Sequence, residues 1–98
     1  KKKPDYIDAL THLAESYTRK GLYEKGLELD QRLANLCKDD STVYYNLACS
    51  YALVGQRQEA IQSLRTAIQL GYDDFAYMRK DSDLKSLHQD PAFLRLGS

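Results

Sequence analysis

The sequence predicts an all-α fold in which antiparallel helix-turn-helix repeats stack side by side. Two observations support this prediction. The chain repeats itself at a constant offset, since Leu13 aligns with Leu47 and Tyr17 with Tyr51. Each repeat also holds two apolar stripes with the spacing of an amphipathic helix. At 98 residues, the chain has the length of one domain, so we predict a single domain over residues 1–98.

The offset divides the domain into a first repeat at residues 7–40, a second repeat at residues 41–74 and a tail at residues 75–96. Each repeat is predicted to contain two helices joined by a tight turn. The four predicted helices lie near residues 5–20, 23–37, 41–54 and 57–70.

In the first repeat, the first helix is predicted to open at Asp5 or Tyr6. Gly21 ends this helix, because glycine takes the left-handed conformation at low cost. Gly26 lies inside the second helix, where it costs roughly 1 kcal/mol relative to alanine. The apolar positions of the second helix are Leu27, Leu33, Ala34 and Leu36.

In the second repeat, Ser41 is the predicted N-cap, and Gly55 and Gly71 end the two helices. The apolar stripe of the first helix predicts these core residues: Tyr44, Leu47, Ala48, Tyr51 and Ala52. The stripe of the second helix predicts Ala60, Ile61, Leu64, Ala67 and Ile68. Ala48 and Ala60 are expected where helices approach most closely.

Residues 44–70 read Y-Y-N-L-A-C-S-Y-A-L-V-G-Q-R-Q-E-A-I-Q-S-L-R-T-A-I-Q-L, which resembles a tetratricopeptide repeat at nearly every signature position. The family's period of about 34 residues is also the offset found here. Tyr72 departs from the pattern, because the family usually has proline there. The first repeat matches less well: Gly26, Asp30 and Leu33 stand where the family has alanine, an aromatic residue and alanine. The resemblance implies a short right-handed α-solenoid with a concave groove.

The tail is predicted to cover the apolar side that the last helix pair would otherwise expose. Asp81 precedes a short helix that reaches Leu87, and Asp90-Pro91 is a helix start signal. The tail also resembles the segment after the last repeat of many bacterial tetratricopeptide proteins. A third repeat that has decayed beyond recognition is the alternative, and it would fill the same space.

The resemblance implies that the first helices of the repeats line the groove and that the groove binds a protein or peptide segment. Helical geometry indicates the same positions, because they are the residues of the first helices that do not belong to the apolar core stripe. The candidate groove residues are Asp8, Thr11, His12, Glu15, Arg19, Thr42, Tyr45, Asn46, Cys49 and Leu53. Tyr45 has two interpretations of equal weight: it contacts a ligand, or it packs on the tail.

Some members of the family clamp the C-terminal carboxylate of heat-shock chaperones with asparagines and basic residues. At the matching positions this chain has Asp8, His12, Asn46, Ala76 and Lys80. Asn46 matches in kind and Lys80 in charge, whereas Asp8 has the wrong sign for an anionic peptide end. We therefore predict no clamp of this type.

Metal and catalytic chemistry find little support in the sequence. His12 and Glu15 share a helical face with Asp8, but a metal site needs three or four ligands in a defined geometry, so we interpret His12 as solvated. Cys49 has no base at the neighbouring helical positions. No glycine-rich phosphate loop, zinc-protease motif or nucleophile elbow is present. We predict no enzyme activity, no metal and no cofactor.

The composition limits the kinds of partner. The formal net charge is zero, which argues against nucleic acid, whose binding depends on neutralising phosphates. No stretch approaches the ~20 apolar residues of a membrane span. Cys37 and Cys49 match no zinc or redox spacing and favour a reducing compartment, taken here as the cytoplasm. The run Lys1-Lys2-Lys3 is interpreted as a solvated terminus.

The leading functional hypothesis is an interaction scaffold that binds a protein or peptide segment in its groove. The alternative is a terminal fragment of a longer solenoid with a structural or self-assembly role. The imperfect first repeat favours the alternative, because a repeat that packed on further repeats would also depart from the pattern.

Overall fold

The computed structural model describes residues 4–97, which form helices and turns without a strand, as the sequence predicts. The helices are α1 (Asp5–Arg19), α2 (Tyr23–Leu36), α3 (Ser41–Leu53), α4 (Arg57–Gln69), α5 (Phe75–Lys80), a 3-10 helix (Ser82–Leu87) and α6 (Pro91–Leu94). The run Lys1-Lys2-Lys3 lies outside the described residues. Across residues 4–97, no helix is both long enough and apolar enough to cross a membrane.

The turns inside the two helix pairs have the same geometry, as the repeat predicts. Gly21 has φ 81° and Gly55 has φ 88°, both in the left-handed region. After α1, the Leu22 amide donates to the Tyr17 carbonyl, and after α3, Gln56 donates to Tyr51, each at 2.9 Å. These bonds satisfy the last carbonyls of the helices in a Schellman motif. The turns thus follow from local sequence.

Asp40 caps α3, so the predicted N-cap at Ser41 is wrong by one residue. The Asp40 Oδ1 atom accepts from the amides of Thr42 at 3.0 Å and Val43 at 3.3 Å. Ser41 is the first residue of the helix. A carboxylate here satisfies orphan amides and also complements the positive end of the helix dipole.

α3 lies at the centre of the molecule and takes part in two apolar clusters. The first cluster joins α1, α2 and α3, and its buried members are Ile7, Leu27, Leu33, Ala34, Val43 and Leu47. The second joins α3, α4 and the tail, and the tail contributes Met78, Leu84, Leu87, Phe93 and Leu96. Tyr44 and Tyr51 are only partly buried and pack against both clusters.

α1 and α2 approach closely at Gly26, which is buried. A Cβ atom at this position would lie 2.7 Å from the Thr18 hydroxyl oxygen, which is too close for a real contact. The glycine therefore costs helix propensity but permits the close contact of α1 and α2. Ala48 and Ala60 are fully buried, as expected for small residues where helices approach closely.

Candidate functional site

A concave cavity of about 620 Å³ opens between α1, α3 and the beginning of the tail. Seven of the ten predicted groove residues line it: Thr11, Glu15, Arg19, Thr42, Tyr45, Asn46 and Cys49. The remaining lining residues come from the end of α1, α2, α3, the turn between α4 and α5, and the tail, namely Thr18, Asp30, Ser50, Tyr72, Asp74, Tyr77, Asp81 and Asp83.

Three predicted groove residues lie outside this cavity. Asp8 lines a neighbouring depression next to Thr11 and Asn46. The His12 side chain is 81% exposed and lines none of the depressions described. Leu53 lines a separate depression beside Leu22, because the last turn of α3 adjoins the start of α2 and not the tail. Leu53 therefore lies apart from the seven groove residues that line the cavity.

Tyr45 packs on the tail, which is one of the two interpretations that the sequence allowed. Its side chain is only 5% exposed, and its hydroxyl donates to Asp81 Oδ2 at 2.6 Å. Its ring stacks on Tyr72 with centroids 4.5 Å apart and lies 6.3 Å from the Tyr77 ring. Burial and the bond to Asp81 raise the pKa of the Tyr45 hydroxyl. Tyr45 is therefore part of the core, although one edge still lines the cavity.

Cys49 is also buried, because the tail covers its side of α3. Its thiol donates to the same Asp81 oxygen at a distance of 3.8 Å. Burial and the charge of Asp81 raise the pKa of the thiol, so the reactive thiolate is disfavoured. Asp81 lies 32 residues further along the chain than Cys49, which is why inspection of helical neighbours missed this partner.

The cavity wall is acidic. Five carboxylates line it: Glu15, Asp30, Asp74, Asp81 and Asp83. Burial, opposed in part by a hydrogen bond from the Ser50 hydroxyl, raises the pKa of Asp30 to about 6, and the charge of Glu15 adds to the rise. Burial, together with the charge of Asp81, also raises the pKa of Asp83. Of these five, sequence reasoning found Glu15 alone, because the others come from α2, the turn between α4 and α5, and the tail, and not from a first helix.

Two groups of side chains have the residue types of metal ligands. The ligand atoms of Cys49, Asp81 and Asp83 all lie within 4.8 Å of one another. Asp81 already accepts hydrogen bonds from Tyr45 and Cys49, so this group is explained by the packing of the tail on α3. His12 Nδ1 lies 3.9 Å from Glu15 Oε1 at an exposed position. We assign no metal to either group.

Comparison with known proteins agrees with this architecture. Two family models described as tetratricopeptide repeat match residues 9–44 and 41–71. The chain is 31% identical over 80 residues to a protein of Arabidopsis thaliana that is described as chloroplastic. That match covers 79% of this chain and 24% of the relative, so the chain spans about a quarter of the relative's length. None of the solved structures compared with the chain matches it.

Proposed function

The chain belongs to the tetratricopeptide repeat family, and we propose that it is an interaction module whose concave cavity binds a segment of another protein. The observation that carries the proposal is the cavity of about 620 Å³, within the usual size range of ligand pockets. Repeats of this family generally mediate protein–protein interaction and are typically scaffolds, so we propose a binding role and no catalysis.

Asn46 is the lining residue best suited to hold a peptide backbone. It lies on α3 and is partly exposed, and its side-chain amide has no hydrogen-bond partner within residues 4–97. An amide offers both donors and an acceptor, which is what an extended peptide backbone requires. Thr42 lies one turn earlier on the same helix, is exposed and lines the same cavity.

The proposal is tested with a peptide enriched from a random phage-displayed library on the immobilised protein. Binding of the synthetic peptide is then measured by calorimetry. The double change Thr42→Ala and Asn46→Ala is expected to weaken binding about tenfold or more, because two polar contacts are lost. The melting temperature should move little, since neither side chain is buried.

The matched control is Gln62→Ala with Arg65→Ala on the exposed side of α4, where, within residues 4–97, the two side chains form a hydrogen bond only with each other. This pair is expected to leave binding unchanged. A loss of binding in the α4 pair, with full binding in the α3 pair, would mean that the interaction surface lies on the back of the molecule.

A second candidate function, self-assembly, is favoured by one observation. Leu13 is 44% exposed, whereas its repeat equivalent Leu47 is 6% exposed, being covered by α2. Tyr6 is exposed near Leu13 on α1, and Leu10 and Tyr17 are partly exposed on the same side of α1. This apolar stripe has the form of a surface that another helix pair would cover.

The proposed partner is protein rather than nucleic acid or membrane, since five carboxylates on the cavity wall would repel phosphates.

Cys37 and Cys49 are both free thiols, which supports a reducing compartment. The relative's description as chloroplastic adds the chloroplast as an alternative to the cytoplasm.

A further inference from the structure

Negative charge is concentrated in the cavity although the chain as a whole has a formal net charge of zero. The five carboxylates come from α1, α2, the turn between α4 and α5, and the tail. Among the described residues, Arg19 is the one basic side chain that lines the cavity, and it is exposed. Lys80, the cation that a carboxylate clamp would use, does not line it.

Three of the five carboxylates are already used within the protein. Asp30 accepts from Ser50, Asp81 from Tyr45 and Cys49, and Asp74 from the Tyr77 amide at the start of α5. These bonds hold the carboxylates in place, but no basic side chain within residues 4–97 forms an ion pair with them.

Glu15 and Asp83 are the two carboxylates free to meet a ligand. The Glu15 side chain is largely exposed, and its neighbour His12 is 3.9 Å away. Asp83 is partly buried, and its carboxylate accepts no hydrogen bond from residues 4–97. The raised pKa of Asp83, caused by burial and the charge of Asp81, indicates that its ionised form lacks compensation.

Tyrosine rings line the same cavity as these carboxylates. Tyr77 is 49% exposed, and its ring packs at a tilt against the buried Tyr45 ring. The Tyr45 ring in turn stacks on the Tyr72 ring. The face of an aromatic ring attracts a cation, and the attraction increases when the site is desolvated. Carboxylates and ring faces thus favour the same kind of ligand group.

We infer that the segment bound in this cavity is cationic, with a lysine or arginine side chain that lies between Glu15 and Asp83 and against the Tyr77 ring. An acidic segment would be repelled, and a purely apolar one would bury carboxylates without a partner, which costs free energy. The inference rests on the proposed function, and it specifies a ligand of opposite charge to the acidic peptide ends that carboxylate clamps bind.

The test is the composition of peptides enriched from the phage-displayed library, followed by calorimetry on the best synthetic peptide. We expect enrichment of lysine and arginine. Changing Glu15→Gln with Asp83→Asn should weaken binding roughly tenfold. The control, Glu28→Gln with Asp73→Asn, removes the same charge at exposed positions outside the cavity and should change binding less than twofold. Added sodium chloride should weaken binding to the unaltered protein more than to the Glu15 and Asp83 variant.

Each other outcome overturns the inference. Enriched peptides that are neutral or acidic, and whose binding falls with Thr42→Ala and Asn46→Ala, would overturn the charge preference and leave the proposed function standing. Cationic peptides that bind the Glu15 and Asp83 variant as tightly as the unaltered protein would overturn it also. Peptides insensitive to both cavity variants, or no enrichment at all, would overturn the inference together with the proposed function.

Discussion

Asp30 stands where the family usually has an aromatic residue, and its carboxylate is buried against the Ser50 hydroxyl. Its pKa is raised to about 6 in the folded protein, mainly by burial, against an ordinary value of 3.8. Between these pH values the folded state holds a proton that the unfolded state has lost. The contribution of Asp30 to stability is therefore greatest below pH 4 and is lost as the pH rises through 6.

Replacing Asp30 with asparagine removes this titration. We expect the free energy of unfolding of the Asp30→Asn variant, relative to the unaltered protein, to rise by about 2–3 kcal/mol from pH 4 to pH 7.5. Urea denaturation at both pH values measures the difference, and titrations of other residues cancel in the comparison. An equal offset at the two pH values would show that folding does not raise the pKa of Asp30.

A second prediction concerns Gly26. Glycine normally destabilises a helix, but here that loss is offset because Gly26 permits the close contact of α1 and α2. Gly26→Ala alone should not stabilise the protein, since the new Cβ would lie 2.7 Å from the Thr18 oxygen. In a Thr18→Ala background that obstacle is gone, and Gly26→Ala should then stabilise by about 1 kcal/mol. Thermal unfolding of the two single variants and the double variant completes the cycle. Identical effects of Gly26→Ala in both backgrounds would contradict the close-contact explanation.

At the scale of elements, the tail docks on α3 through one buried carboxylate. Asp81 lies at the start of the 3-10 helix and accepts from Tyr45 and Cys49 on α3, and from the Asp83 amide within its own turn. Tyr45→Ala is therefore expected to destabilise the fold. That residue fills space between α3 and the tail, and its truncation should cost several kcal/mol, about 3–5.

A milder change isolates the hydrogen bond. Tyr45→Phe keeps the ring and removes the donor to Asp81, so we expect a loss of about 1–3 kcal/mol because a buried carboxylate is left without that partner. Tyr77→Phe is the matched control, since the exposed Tyr77 hydroxyl has no hydrogen-bond partner within residues 4–97. Equal unfolding free energies for the two variants would mean that the bond between Tyr45 and Asp81 contributes nothing net.

At the scale of the whole molecule, the two ends of the stack differ. The tail packs into the apolar cluster of α3 and α4, where Met78, Leu84 and Leu87 are almost fully buried. The apolar stripe on α1, by contrast, is open. Association of two copies through their α1 stripes would give a closed symmetric dimer and not a filament.

Light scattering from micromolar to near-millimolar concentration tests this association. The apparent mass of the unaltered protein should rise toward that of a dimer. The Tyr6→Gln and Leu13→Gln double variant should stay monomeric, because it makes the stripe polar. Leu94→Gln serves as a control, since Leu94 is 60% exposed but lies on the tail, away from the stripe. A monomer at every concentration would count against self-assembly and leave partner binding as the function.

Features that depend on residues close together along the chain follow from the sequence alone. Apolar periodicity located the four long helices to within about one residue at each end, and Gly21 and Gly55 marked the turns because positive φ is nearly confined to glycine. The acidic wall of the cavity and the burial of Tyr45 and Cys49 were decided only by the tertiary structure. They arise because the tail folds back across α3 and brings Asp81 beside residues more than thirty positions earlier. Helical periodicity describes one helix at a time, and it therefore carries no information about which distant segment covers the remaining side.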